Sequence, residues 1–134
     1  MLLLYATVTA AATVTSTELD GLGASVSRCD RAALNPAFMS EPDRRSRFMI
    51  AAFREQEGIV ADRLTLAEQR RAVREASGTS ATDKKGLELV ETAIEDRQRA
   101  LNDKRLLESM RQDTVDALRR SYLSHCLVEE DRRK

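Results

Sequence analysis

Apolar residues recur every seven positions along two long stretches of the chain. This spacing places side chains on one face of an α-helix and is typical of helices that pack side by side. The first stretch begins at Ser40-Glu41-Pro42-Asp43, a serine cap followed by a first-turn proline. The sequence therefore predicts a first long helix from about Pro42 to Ser77. Its two adjoining apolar series are Ala52, Ile59, Leu66 and Val73, and Phe53, Val60 and Ala67 with Leu64 between them.

The second stretch, from about Asp83 to Cys126, repeats the same spacing. Gly78 and the small polar residues around it stop the first helix and offer caps for the next one, so a turn is predicted there. The second apolar series is Leu87, Ile94, Leu101, Val115 and Tyr122, with Val90 and Leu118 on the adjoining edge. Four charged residues interrupt this pattern: Glu108, Arg97, Lys104 and Arg111.

Two helices joined by so short a turn are expected to be antiparallel neighbours, with residue i opposite roughly residue 160 minus i. The apolar stripes then coincide, with Phe53 near Leu107 and Val60 near Leu101. The same register sets basic residues against acidic ones, namely Arg44, Arg45 and Arg47 near Asp113 and Asp116. The predicted fold is all-α: a long, coiled-coil-like antiparallel helical hairpin over 42–128, followed by a charged tail over 129–134.

Residues 17–41 predict an irregular lead-in that contains a short helix. Asp30 can cap a helix over Arg31–Leu34, and Asn35-Pro36 can end it. We expect this short helix to pack at the open end of the hairpin. There Val26, Leu34 and Phe38 would cover the apolar run over 48–53.

Residues 1–16 contain no charge, begin with an apolar run and pass into small residues. This pattern is typical of a secretory signal peptide, here cleaved between about Ala12 and Ser16. A membrane anchor and an ordinary buried segment are the alternatives. The expected location is periplasmic or secreted, and a membrane contact is expected only if this segment is an uncleaved anchor.

The two cysteines, Cys29 and Cys126, lie near opposite ends of the remaining chain. In an oxidising compartment an even number of cysteines favours a disulfide, and the hairpin would bring these two together at its open end. Intermolecular bonds and free thiols are the alternatives.

Equal numbers of basic and acidic residues, 22 of each, give no overall field toward nucleic acid or anionic lipid. Nucleic acid is therefore a disfavoured partner. Near the predicted turn, basic residues are still locally enriched, and arginine can bind carboxylate or phosphate without a net charge. These residues form a candidate interaction surface: Arg63, Arg70, Arg71 and Arg74.

The sequence assigns no catalytic, cofactor-binding or metal-binding residue. His125 and Cys126 are neighbours in a helix, so they point about 100° apart and cannot easily share a ligand. The acidic cluster around Glu88, Glu91 and Glu95 lies among arginines and has the pattern of a solvated helix face. We therefore predict a protein that is not an enzyme and has no cofactor.

Residues 64–69, Leu-Thr-Leu-Ala-Glu-Gln, resemble the Leu-Thr-x-x-Gln signature of the periplasmic Spy and CpxP group of helical stress chaperones. The glutamine stands one residue late and the motif occurs once, so the likeness covers only these residues. The function predicted from the residues is protein–protein interaction in the cell envelope, with a homodimer as one arrangement. A chaperone or stress sensor that binds unfolded clients and a membrane-anchored coiled-coil spacer are the alternatives.

Overall fold

The structure is a computed structural model that describes the backbone of residues 6–76, 78 and 81–132. It contains three α-helices: α1 Ala6–Ser27, α2 Arg31–Glu75 and α3 Ala81–Arg132. No strand occurs within these described ranges, so the predicted all-α class is confirmed. The start of the predicted signal peptide, residues 1–5, lies outside the described residues, as do Ser77, Thr79 and Ser80 of the predicted turn.

The prediction of an irregular lead-in over residues 17–41 was wrong, because this segment is helical apart from a short turn. Helix α2 starts at Arg31 and contains both Pro36 and Pro42, which were expected to end one helix and to begin the next. A proline inside a helix costs about 3 kcal/mol because it removes one hydrogen bond and crowds the preceding turn. Tertiary contacts around the two prolines offset this cost, since Leu34 is fully buried and Glu41 is held by buried ion pairs.

The turn between α1 and α2 has two hydrogen-bonded caps. The N–H of Asp30 donates to the Ser25 carbonyl at 2.9 Å, and the N–H of Cys29 donates to the Val26 carbonyl at 3.0 Å. This pair of bonds is a Schellman motif, which places Cys29 in the left-handed region at φ 53°. The carboxylate of Asp30 then accepts from the N–H of Ala33 at 3.2 Å and caps α2, as predicted.

The turn between α2 and α3 includes Gly78 at φ 91°, a backbone conformation that favours glycine. Helix α2 ends at Glu75, close to its predicted end. Helix α3 begins at Ala81 and continues to Arg132, so the predicted charged tail is helical as far as that residue. Arg133 and Lys134 lie outside the described residues.

The helices form two compact units: residues 1–44 with 107–134, and residues 45–106. In the second unit α2 and α3 enclose a core of Ile59, Leu66, Ile94 and Leu101. In the first unit Val26 of α1, Leu34 of α2 and Tyr122 of α3 form a separate core. Phe38 packs against this core of the first unit, with its ring centroid 6.0 Å from that of Tyr122.

The core of the second unit uses the first apolar series predicted on each long helix, and the core of the first unit uses Tyr122 from the α3 series. The second series on α2 was expected to share the interface and does not, because Phe53 and Val60 are exposed. Leu107, the predicted neighbour of Phe53, is also exposed. The run over 48–53 was expected to be covered on more than one side, yet Met49 and Ile50 are also exposed.

Candidate functional site

A network of buried ion pairs in the first unit connects all three helices. The guanidinium of Arg111 on α3 donates to Glu41 of α2 and to Glu18 of α1, at 2.7 Å in both cases. Arg44 lies one turn after Glu41 and donates to both Glu41 and Glu108. The side chains of Arg111 and Glu41 are only 7% and 9% exposed, so this pair is largely shielded from water. We call these five residues the buried charge network.

The spacing of the network residues explains why they meet. Glu41 and Arg44 stand three residues apart on α2, and Glu108 and Arg111 stand three residues apart on α3, so each pair shares one helix face. The charges alternate, which sets each arginine against a carboxylate of the other helix. The predicted pairing of Arg44 with Asp113 and Asp116 was wrong, because Arg44 binds Glu108 and Glu41 instead.

The buried charge network shifts the pKa values of Arg44, Glu108 and Arg111 toward their charged forms. Burial alone would raise the pKa of Glu108, but hydrogen bonds from Arg44 and Gln112 outweigh it and hold that pKa below its ordinary value of 4.5. Burial likewise acts to lower the pKa of Arg44, and its hydrogen bonds to Glu108 and Glu41 reverse the effect and raise it. The pKa of Arg111 is raised for the same reason, by Glu18 and Glu41.

The lowered pKa of Glu108 predicts acid sensitivity. In the unfolded chain this carboxyl takes up a proton near its ordinary value of 4.5, whereas the folded chain resists protonation until a lower pH. The stabilising contribution of Glu108 is therefore complete above that value and is lost as the pH falls through the folded pKa. We expect the free energy of unfolding, measured by urea titration at a series of pH values, to decline as the pH falls below 4.5.

The matched variants for this prediction are Glu108→Gln and Arg44→Met. Each removes one partner of the charged pair, so each should make the decline of stability below pH 4.5 shallower than in the wild-type protein. If the free energy of unfolding falls equally steeply with decreasing pH in the wild type and in Glu108→Gln, then Glu108 does not contribute to the acid sensitivity.

Cys29 and Cys126 are joined by a disulfide, with their Cα atoms 5.5 Å apart. The bond connects the turn after α1 to the last part of α3 within the first unit. Cys126 also packs against the Val26, Leu34 and Tyr122 core. This is the pairing predicted from the positions of the two cysteines in the hairpin.

The candidate basic surface is divided in the structure. Arg63, Arg70 and Arg74 line one open groove in the second unit, together with the carboxylates of Glu91 and Glu95. Arg70 binds Glu91 at 2.5 Å across the two helices, whereas Arg71 binds Glu75 on its own helix at 2.9 Å and does not line the groove. The groove is therefore mixed in charge rather than basic.

A second exposed feature of the same unit is an apolar stripe on α2, formed by Ile50, Phe53, Val60 and Leu64. These side chains are 45–63% exposed. Val60 follows the buried Ile59 by one residue, so the stripe points about 100° away from the core. Its spacing of three, seven and four residues is that of the a and d positions of a coiled coil. We call these four residues the α2 stripe.

Sequence reasoning missed the buried charge network. Glu108 and Arg111 appeared only as charges that interrupt the apolar series of the second helix, and Glu41 appeared only as part of a helix start. The available signal was that these interruptions stand at seam positions, where a charge must be paired to be buried. Placing α2 through Pro36 and Pro42 was the missing step, because that continuity brings Glu41 and Arg44 onto the same helix face.

No group of three or more potential metal ligands occurs among the described residues. His125 is exposed beside the disulfide-bonded Cys126. Within the described part of the chain, no helix combines the length and apolar character needed to cross a bilayer. Comparisons of the chain with known protein families, characterised proteins and solved structures found no match.

Proposed function

We propose that this chain is a non-enzymatic, coiled-coil-like helical-hairpin protein of the cell envelope that binds another protein through the α2 stripe. The observation that carries the proposal is the exposure of a second heptad seam, beside the one that forms the core of the same unit. Exposed large apolar side chains in a row are typical of protein-binding surfaces, whereas single exposed ones are common everywhere. Helix-in-groove and helix-on-helix recognition both use anchors at this spacing.

An oxidising location is the second part of the proposal. The uncharged N-terminal segment has the composition of a secretory signal, and the Cys29–Cys126 disulfide is the kind of bond that persists in the periplasm or outside the cell. The mass of the non-reduced protein from its native cell tests both features together. We expect loss of about the first 12 to 16 residues and no alkylatable thiol, and an intact N-terminus with two reactive thiols would contradict an exported location.

Photocrosslinking in the cell that naturally produces the protein tests the binding surface. Leu64 in the α2 stripe and Leu89 on α3 are 63% and 64% exposed, so they form a matched pair of positions. A benzophenone amino acid at position 64 is expected to give a discrete adduct of higher mass, and the same group at position 89 is not. The proposal is contradicted if position 64 gives no adduct, or gives the same pattern as position 89.

A chaperone that binds unfolded clients is the second candidate, favoured by the exposed methionines. Met39, Met49 and Met110 are all more than half exposed, and flexible methionine side chains adapt to varied apolar surfaces. Such a protein should suppress the aggregation of an unfolding client enzyme when present in molar excess. A specific binder of one partner should leave that aggregation unchanged.

A further inference from the structure

We infer that the partner of the α2 stripe is an α-helix of a different protein, with a lysine or arginine facing Glu57 and carboxylates facing Arg54 and Arg63. The inference rests on the proposed protein-binding role of the α2 stripe and names the chemistry of the partner. It follows from the charged residues that lie within the stripe and along its two edges.

One carboxylate interrupts the α2 stripe. Glu57 stands seven residues after Ile50 and seven before Leu64, so it shares their helix face, and its side chain is exposed. A helix packed over the stripe would remove water from this carboxylate. A buried charge without a counter-charge is strongly destabilising, so the partner has to supply a cation at this point.

Further charges lie along the edges of the α2 stripe. With Glu57 at an a position of the heptad, Arg54 and Glu68 fall at e positions and Arg63 falls at a g position. All these side chains are exposed. Residues at e and g lie beside the seam of a coiled coil, where ion pairs with the facing helix set the choice of partner. We call Glu57 and these three residues the seam charges.

The seam charges make no ion pair or side-chain hydrogen bond with any other residue that the structure describes. The other charged side chains over residues 50–68 are Glu55 and Asp62, and both bind Arg97 of α3. Pairing within the chain therefore satisfies the charges that bind α3 and leaves the seam charges to a partner. A facing helix with the opposite signs complements them.

A second copy of the chain does not supply the required cation from its own α2 stripe, whose other members are apolar. When two stripes are superposed about their common centre, in either direction, Glu57 of one copy lies against Glu57 of the other. Like charges facing each other disfavour association. Glu57 therefore acts against pairing of the stripe with itself.

The heptad spacing of the α2 stripe and the seam charges together describe the partner helix. Apolar side chains at heptad spacing cover the stripe, a lysine or arginine lies in the layer of Glu57, and aspartate or glutamate lies beside Arg54 and Arg63. A wholly apolar segment would leave Glu57 buried without a counter-charge. The stripe therefore selects a helix of mixed charge over an apolar one.

Photocrosslinking from position 64 in the producing cell tests the inference when it is repeated with Glu57→Lys. Lysine at position 57 would face the cation of the partner, so the adduct yield is expected to fall about tenfold. The matched control is Glu95→Lys, the same change of charge at an exposed position of α3, which should leave the yield unchanged. Circular dichroism should give the same helix content for both variants and the wild type.

Mass spectrometry of the adduct gives an independent measurement. The crosslinked segment is expected to have apolar residues at heptad spacing and a lysine or arginine one heptad from the residue that reacts with position 64. This distance follows because Glu57 lies one heptad before Leu64. Changing that basic residue of the partner to glutamate should restore the adduct in the Glu57→Lys protein.

The outcomes separate this inference from the proposed function. An adduct of equal yield in the wild type and in Glu57→Lys, or a crosslinked segment without such a basic residue, would overturn the inference and preserve the role of the α2 stripe in protein binding. An adduct of twice the mass of one chain would also overturn it, because the partner would then be a second copy. The absence of any adduct from position 64 in the wild type would remove the proposed function, and the inference with it.

Discussion

Replacing both Cys29 and Cys126 by serine is expected to lower the free energy of unfolding by about 4 to 5 kcal/mol. The two cysteines stand 97 positions apart in the sequence, so the disulfide closes most of the chain into one loop. Such a loop restricts the unfolded chain far more than the folded one, which is already held by the Val26, Leu34 and Tyr122 core. Urea unfolding of the double variant beside the oxidised wild type measures the difference.

Reduction of the wild-type protein should reproduce the effect of the double variant, and reductant should have no effect on the double variant itself. This control separates loss of the bond from loss of the packing of Cys126. A double variant with the same unfolding midpoint as the oxidised wild type would show that the bond does not stabilise this fold.

The conformation of Cys29 allows a finer comparison between two single variants. At φ 53° the backbone of any residue other than glycine is strained by about 1 to 2 kcal/mol, because its Cβ crowds the following carbonyl oxygen. Cys29→Gly and Cys29→Ser both remove the disulfide, but only the glycine variant also removes this strain. Cys29→Gly is therefore expected to be the more stable of the two by about 1 kcal/mol.

The buried seam was the most predictable part of the fold. The positions Ile59, Leu66, Ile94 and Leu101 repeat every seven residues, and all four are buried together as the spacing predicts. The sequence did not distinguish this series from the adjoining one, because Phe53 and Val60 repeat with the same period. Which of two parallel stripes is buried depends on the rotation of each helix about its axis, which a period alone does not specify.

The start of α2 was not predictable from local signals, because those signals favoured a different boundary. Ser40 followed by Pro42 has the pattern of a helix start, and Asn35-Pro36 has the pattern of a helix end. Contacts distant in sequence overrule both patterns. Leu34 is buried against α1 and α3 residues, and Glu41 binds Arg111, seventy positions away in the sequence.

The basic residues near the turn and the α2 stripe were both located in the sequence, but their surroundings were not predicted. Local enrichment identified the arginines near the turn, but enrichment did not reveal that Arg70 binds Glu91 or that Arg71 binds Glu75 and does not line the groove. The α2 stripe was present in the sequence as a second apolar series and was assigned to the core. Only the placement of both series in one structure identifies the second as an exposed surface.

Arg111→Ala is expected to lower the free energy of unfolding by about 3 to 5 kcal/mol, measured by urea titration near neutral pH. The side chain of Glu41 is 9% exposed, and loss of Arg111 removes a cation that binds its carboxylate in a poorly hydrated site. Glu18 loses the same partner but is 53% exposed, so water replaces the contact at little cost. The effect should therefore come mainly from Glu41.

Arg97→Ala is the matched control for this prediction. Arg97 also binds two carboxylates, Glu55 and Asp62. Its side chain is 41% exposed, and those of its two partners are 42% and 49% exposed. Exposed ion pairs contribute about 1 kcal/mol or less, because water solvates the separated charges well. Similar losses in Arg97→Ala and Arg111→Ala would show that burial does not set the strength of the network.

The double variant Glu41→Leu with Arg111→Met separates the cost of an unpaired charge from the value of the pair. Removing both charges leaves Arg44 with Glu108, its remaining partner in the network. Because desolvating two charges can cost as much as their attraction returns, this variant should recover most of the stability lost in Arg111→Ala. If it is as unstable as Arg111→Ala, the ion pair itself stabilises the junction of α1, α2 and α3. If it recovers, the pair instead specifies which faces of the three helices meet, since any other rotation would bury these charges without partners.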